Sequence, residues 1–375
     1  MKSNHIAHLT SVHRSPDVRI YFKECLSLLD MGFRVTIVAP ESDLYPSSHG
    51  VTYVPVPLRK RRLLRMLLSP FDVLRKARSI DADAYHIHSA ELIPMGLLLR
   101  LSGKRVVFDA HEDIPDLVKT RAYIPVRLRP LVSGLTKGLL TLVSSGYTGV
   151  VAATPAIAED YPADKTVVIQ NFPVDEVPSD APDIPMVDRP FTIIYAGALN
   201  EIRGIPQLVD AMGIVGPRTK ARLLLLGTFS PENLEHKLQD SPGWDYTDFL
   251  GQQSRDEMMK HLSNSRLGVV TFLPAPNHTR SEPNKLFEYM NAGLPILCSD
   301  FPHWQQFVSE VGTGRMVDPA DPKAIAREIE WFLVHPEESE EMGTKGRELA
   351  RTKFAWESQA RKLGEFYRAR VFSGK

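Results

Sequence analysis

The chain has 375 residues, 43% hydrophobic and 24% charged, the make-up of a folded protein too long for one ordinary core. Its 45 Lys+Arg balance 45 Asp+Glu, so no global field draws it to nucleic acid, and two distant cysteines, Cys25 and Cys298, exclude a disulfide framework. Met1–Thr10 holds no long apolar run and no run of about 18 apolar residues occurs, so neither a signal peptide nor a membrane span is expected and the chain reads as cytoplasmic.

In chain order, Tyr21, Phe22, Cys25, Leu26, Leu28 and Leu29 fall at helical spacing over Ile20–Met31, and Arg34–Pro40 is a strand ending in a turn. Between Arg59 and Arg78, eight cations interleave with leucines and Phe71. That pattern fits an interfacial segment for anionic lipid, or an amphipathic helix with a solvated basic face. Sparse aromatics make it a poor nucleic-acid surface. Ala84–His88 is a short strand with His86 and His88 on one face, a spacing that could ligate zinc together with His111 or Asp109. It is the ground for an alternative reading, a metal-dependent α/β hydrolase. A helix over Ile93–Leu101 leads to the strand Arg105–His111. A second basic and apolar stretch runs from Lys119 to Leu140, with Arg121, Arg127, Arg129 and Lys137, and strands follow at Gly149–Ala153 and Lys165–Gln170. This rhythm predicts a parallel sheet with helices on both faces.

Phe172–Pro190 breaks the rhythm with five prolines and four aspartates and reads as a linker. The alternation then restarts: strands at Phe191–Gly197, Arg222–Gly227, Leu267–Phe272, Pro295–Cys298 and Gly314–Val317, and helices over Gln207–Ile214 and Asp321–His335. Two doubly wound α/β domains result, and ligands in such folds sit beyond the C-terminal ends of the strands.

Within the second half, Ser281–Pro295 places Pro283 at a helix start, with Ser281 or Glu282 available as a cap and Gly293 closing the helix. A loop feeding a helix N-terminus offers free N–H groups to a diphosphate. Glu288, about a turn and a half in, can accept two hydroxyl hydrogen bonds from a ribose diol. On spacing alone, a plain amphipathic helix fits equally well. Tyr195–Gly204 is a second strand-to-helix turn, where Gly197 admits a close backbone approach and Arg203 can neutralise a leaving diphosphate.

Ser281-Glu-Pro-Asn-Lys-Leu-Phe-Glu-Tyr-Met-Asn-Ala-Gly-Leu-Pro295 resembles the signature of the retaining glycosyltransferases of family 4, the glycosyl transferases group 1. The resemblance implies the GT-B fold: two Rossmann-like doubly wound domains facing an interdomain cleft. It divides the chain into an acceptor-binding domain over 1–172, a linker over 173–190, a nucleotide-sugar-binding domain over 191–355, and a final helix over 356–375 that packs back on the first domain. Donor contacts are then expected from Gly197, Arg203, Glu282, Pro283, Asn284, Lys285, Leu286 and Glu288. Glu288 matches the ribose-binding second Glu of the family's Glu-x7-Glu motif. The first Glu falls at Arg280, and Ala198 replaces a family Arg, so Arg280 is expected as a compensating cation.

The resemblance makes His111, Arg203 and Arg280 the catalytic set, with His111 orienting the donor sugar. Gly227 and Leu250–Gln253 match the turns that enclose the base, and His13–Ile20 resembles an opening loop in which Arg19 would be structural, bonded to Asp17. The implied enzyme is a metal-independent hexosyltransferase needing no cofactor beyond its UDP- or GDP-sugar substrate. Its acceptor would be a glycan or lipid-linked hydroxyl in surface polysaccharide or lipid-linked glycan biosynthesis. It would work in the cytoplasm or peripherally on the inner face of the cytoplasmic membrane, through 59–78. A nucleotide-sugar epimerase on the same fold is the related alternative, and the absent first Glu leaves a silent binding subunit as a third.

Overall fold

The computed structural model describes residues 3–13, 16–43, 45, 49–120, 124–174 and 184–373. They belong to two units, Met1–Asn171 with Trp356–Lys375, and Phe172–Ala355. Of the stretch read as a linker, 175–183 lie outside the described residues, as does Arg121 of the second basic stretch.

The first unit is built on β1 (His5–Leu9), β2 (Arg34–Pro40), β3 (Thr52–Val56), β4 (Ala84–Ile87), β5 (Arg105–Ala110), β6 (Gly149–Ala152) and β7 (Thr166–Val168). All pair in parallel, in the order β3-β2-β1-β4-β5-β6-β7. β1, β4 and β6 are buried at every position, as strands covered on both faces must be. Two of these strands gave no clear signal in the sequence. β1 mixes histidines with its apolar residues, and β3 carries Pro55, which the sheet tolerates because β3 is an edge.

The helix Trp356–Phe366 belongs to this same unit. The Trp356 indole donates to the Ser27 hydroxyl at 2.9 Å, and the Gln359 side chain accepts from the Gln170 N–H at 3.1 Å. Leu363 and Tyr367 are buried, so the tail is part of the first unit's core.

The second unit holds β8 (Thr192–Ala196), β9 (Arg222–Leu226), β10 (Thr247–Gly251), β11 (Leu267–Val270), β12 (Ile296–Ser299) and β13 (Gly314–Val317), parallel in the order β10-β9-β8-β11-β12-β13. β10 is a strand where the sequence suggested only a turn at Leu250–Gln253, because its edge position leaves Asp248 and Phe249 half-exposed. Each sheet reverses its winding once, between β1 and β4 and between β8 and β11, and a doubly wound sheet opens its ligand crevice at that reversal. The strand ends gathered there are Leu9 with Ile87 in one unit, and Ala196 with Val270 in the other.

Candidate active site

In the second unit, β8 runs out at Ala196 and the chain turns at Gly197 with φ +140°. A Cβ at Gly197 would strike the Lys285 ammonium, so only glycine lets this cation lie against the turn. The Asn200 side chain then accepts from the Arg203 N–H at 3.1 Å, and Gly204, at φ +72°, closes the turn into the helix Ile205–Thr219. A side chain at Gly204 would overlap the Thr271 carbonyl just past β11. This approach lays the Arg203 guanidinium 4.0 Å over the Phe272 ring.

Lys285 lies in the first turn of the helix Asn284–Asn291, its ammonium 5.5 Å from the centre of the Tyr195 ring. Burial pushes its pKa down to about 8; the like charge of Arg203 acts the same way and Glu288 opposes. Burial also lowers Arg203, which stays a cation. Two half-buried cations on aromatic faces are poised for an anion rather than satisfied by carboxylates.

Pro283 itself takes the N-cap position of this helix, with no side-chain cap. The capping expected of Ser281 or Glu282 is not made. Ser281 donates its hydroxyl to the His278 carbonyl at 2.9 Å, and the Glu282 carboxylate, 4% exposed, lies 3.5 Å from His303 Nε2. Glu282 therefore has only its backbone to offer a donor. Without a side-chain cap, the leading N–H groups of the helix are available to a phosphate. The Leu286 side chain is fully buried in the core with Phe287 and Met290, on the apolar face of this helix, so only its backbone could meet a donor. Glu288 stays accessible, 3.7 Å from Arg255 Nη1, and Arg280 is exposed on the turn before Ser281. A cavity of about 250 Å³ lies beside these strand ends, lined by Gly227, Phe229, Glu232, Phe249, Gly251 and Gln252, the neighbourhood expected for the base.

In the first unit, His111 follows β5 with its Nδ1 3.4 Å from Asp109 Oδ2 and its ring edge-on to His13 at 5.2 Å. Burial alone would lower its pKa, but the bond to Asp109 and its charge outweigh burial and raise it. His13 is in turn 3.6 Å from Asp17. Arg19 is structural as expected, but its partner is not the Asp17 carboxylate. Asp17 accepts from the Arg19 and Ile20 N–H groups at the helix start, while the buried Arg19 guanidinium donates to Asp109 at 2.8 and 3.2 Å and to the Ile169 carbonyl at 3.2 Å. His86 and His88 share a face, 4.4 Å apart, but they gather with His8 and Glu24 rather than with His111. Asp109 bonds His88 Nδ1 at 3.0 Å instead. The sequence showed none of these long-range partners. Glu24 and His8 carried no local signal beyond being polar residues inside apolar segments.

The structure thus brings Gly197, Arg203, Lys285 and the Pro283–Asn284 helix start together, sets Glu288 on the same helix, and holds His111 in the other unit on Asp109.

Comparison with known proteins agrees with this division. Residues 178–349 match the family described as glycosyl transferases group 1, and residues 23–173 match glycosyltransferase family 4. A capsular polysaccharide biosynthesis glycosyltransferase, CapM, of Staphylococcus aureus is 27% identical over 44% of this chain and 42% of its own length. A GDP-mannose-dependent α-(1-6)-phosphatidylinositol monomannoside mannosyltransferase of Mycobacterium tuberculosis is 24% identical over 48% of each chain. The chain therefore matches under half the length of these curated relatives. Among solved structures, sucrose-phosphate synthase from Thermosynechococcus elongatus superposes with a TM-score of 0.78 at 20% identity, covering 99% of this chain and 100% of that one. Anabaena HepE in complex with UDP and glucose gives 0.74 at 14% identity, covering 98% and 100%.

Proposed function

Because the chain belongs to the family 4 glycosyltransferases of GT-B fold, we propose that it transfers a hexose-type sugar, with retention, from a UDP- or GDP-sugar to a hydroxyl acceptor in surface polysaccharide or lipid-linked glycan assembly. The observation that carries this reading is the convergence of Lys285, Arg203 and an uncapped helix start on the Gly197 turn. Cations and N–H groups set where a nucleoside diphosphate must leave stabilise the charge that develops on it. The acceptor oxygen forms the new bond to the anomeric carbon. The old bond to the diphosphate breaks, the electron pair goes with the diphosphate, and a diphosphate oxygen takes the acceptor's proton. No protein nucleophile and no metal enters this scheme. His111, with Nδ1 turned towards Asp109 at 3.4 Å, has Nε2 left to orient a sugar hydroxyl. The two bacterial relatives, one of capsular polysaccharide biosynthesis and one a phosphatidylinositol monomannoside mannosyltransferase, support a glycan or glycolipid acceptor.

The test is to incubate the chain with UDP- and GDP-hexoses, with and without extracted lipid-linked glycans. Nucleoside diphosphate released only with acceptor supports transfer. A C2 epimer appearing without acceptor would replace it with the epimerase reading. Glu288→Ala should raise the donor KM by roughly ten- to a hundredfold, the loss of charge-assisted hydrogen bonds to the ribose diol. An unchanged KM would remove Glu288 from the donor site.

The acceptor side is proposed to work at an anionic membrane surface. No helix among the described residues is long and apolar enough to cross a membrane. However, the helix Arg62–Ile80 exposes Leu63, Met66, Leu67 and Phe71, and the helix Arg129–Ser145 exposes Leu131, Leu135, Leu139 and Leu142, a stripe with one residue per turn. Lys60, Arg61, Arg75 and Arg78 are exposed nearby in sequence, whereas Arg59 and Arg65 pair with Asp72 and Glu91. Exposed leucines beside exposed cations are the chemistry of interfacial binding. Leu135→Gln with Leu139→Gln should weaken binding to anionic vesicles on the order of a hundredfold, each leucine contributing about 1.5 kcal/mol or more when buried. Flotation equal to that of the unaltered chain would rule this surface out.

A further inference from the structure

The first unit encloses a side-chain cluster that the transfer chemistry does not use. His8 on β1, Glu24 on the helix Val18–Cys25, His86 on β4 and His88 just past β4 are all fully buried, and each offers a ligand atom lying within 4.8 Å of the others'. We propose that His8, Glu24, His86 and His88 hold a structural divalent cation of the zinc class at the winding reversal of the first sheet.

The hydrogen-bond accounting leads there. Both Asp109 oxygens accept from the Arg19 guanidinium, at 2.8 and 3.2 Å, so Asp109 is an acceptor here and His88 Nδ1 is the donor in their 3.0 Å bond. His88 Nε2 is then bare and aimed into the cluster. His8 Nδ1 approaches it at 2.9 Å and supplies the proton there, which leaves His8 Nε2 bare as well. Among the described residues, His8 Nε2 and both nitrogens of His86 have no hydrogen-bond partner, and neither does Glu24 Oε2. Leaving buried polar atoms unsatisfied in this way is costly, and a site made of them calls for something to fill it. With a cation seated, the His8 proton shifts to Nε2 and Nδ1 becomes the ligand atom.

A dication fits the donor set. Three imidazoles and one carboxylate are a four-coordinate nitrogen and oxygen set for zinc, whose ligand atoms lie about 2.0–2.2 Å from the metal. That implies separations of about 3.3 Å between ligand atoms. The observed ones bracket it: 2.9 Å for His8 to His88, 3.6 Å for His86 Nδ1 to Glu24 Oε2, and 4.0 Å for His88 Nε2 to Glu24 Oε2. Asp109 on His88 Nδ1 is the supporting carboxylate that orients a metal-bound imidazole. Arg19 lies on the other oxygen of Glu24, at 3.2 Å, and on Asp109 at 2.8 and 3.2 Å, so one guanidinium is shared between two buried carboxyl groups. The cation would be acquired during folding and would tie β1, β4 and the helix Val18–Cys25 together. It is not a catalytic metal, and its presence does not depend on the transferase reading.

The chain purified from zinc-supplemented cells should carry close to one zinc that survives dialysis against a chelator. Refolded with Co2+ alone, it should show the intense visible bands of four-coordinate cobalt, and X-ray absorption should count three imidazoles. His88 loses its oriented lone pair in Asp109→Asn, which should weaken retention by roughly ten- to a hundredfold. Glu24→Gln and His86→Gln should bind cobalt weakly and without the four-coordinate spectrum. A folded wild-type chain that stays colourless with Co2+ and metal-free from zinc-supplemented cells overturns the proposal. So does cobalt held by one imidazole or none. The wild-type measurements decide the matter even if a variant fails to fold.

Discussion

Lys285→Met should lower donor turnover by roughly a hundred- to a thousandfold, the loss expected when one preorganised positive donor is removed from a developing anion. The deficit should fall on kcat as well as KM, because the leaving diphosphate carries more charge in the transition state than in the ground state. Lys285 also predicts a pH dependence. Its pKa is held down to about 8 by burial and by Arg203, so below about pH 8 the free enzyme presents an ammonium and above it a neutral amine. The donor binds the charged form, so its affinity should be constant below that value and fall above it, by up to about tenfold per pH unit for a single linked proton. Lys285→Arg keeps its charge throughout and should flatten the profile, whatever it costs in fit beside Gly197. A wild-type donor KM that is flat from pH 7 to about pH 9.5 would show that Lys285 does not meet the diphosphate.

Asp109→Ala should be the most destabilising single change in the first unit, by roughly 3–5 kcal/mol, the cost of removing one partner of a buried ion pair. That is a large share of the roughly 5–15 kcal/mol available to a domain. The reason is the number of groups resting on one carboxylate. Arg19 donates to it twice, His88 once, and His111 lies at 3.4 Å. Burial by itself would raise the Asp109 pKa, but Arg19, His111 and His88 hold it well below the usual carboxylate range. Its contribution is therefore present above the unfolded carboxylate value of about 3.9 and is lost as the pH falls through the lower folded value. Denaturant titration of Asp109→Ala near neutral pH is the measurement. A shift within about 0.5 kcal/mol, the range of an ordinary surface substitution, would mean that Arg19 finds another anion. Variant protein that folds should also have lost the raised pKa of His111, which an imidazole titration can read.

Much of this architecture was legible because parallel strands covered on both faces are written as short apolar runs. β1, β3 and β10 depart from that pattern, and those are the strands it did not reveal: histidines interrupt the first, Pro55 marks the second as an edge, and the third is a half-exposed edge. The donor segment was legible because its parts are local. Pro283, Asn284, Lys285 and Glu288 lie on one loop and one helix, so spacing alone places them on neighbouring turns. Even there, packing decided what spacing could not: Glu282 turned to His303 rather than capping the helix.

What the tertiary structure alone decided is the company that distant residues keep. Lys285 meets Gly197 and Tyr195 because the start of one helix lies against the end of β8, and burial there, with the like charge of Arg203, lowers its pKa. His8, Glu24, His86 and His88 meet because β1 and β4 are neighbours only where the sheet reverses its winding. Periodicity reports which face of an element a residue occupies. It carries no information on which other element covers that face, and so the sequence by itself determined the two folds and the donor loop, while the partners of His111, Arg19 and Lys285 had to come from the packing.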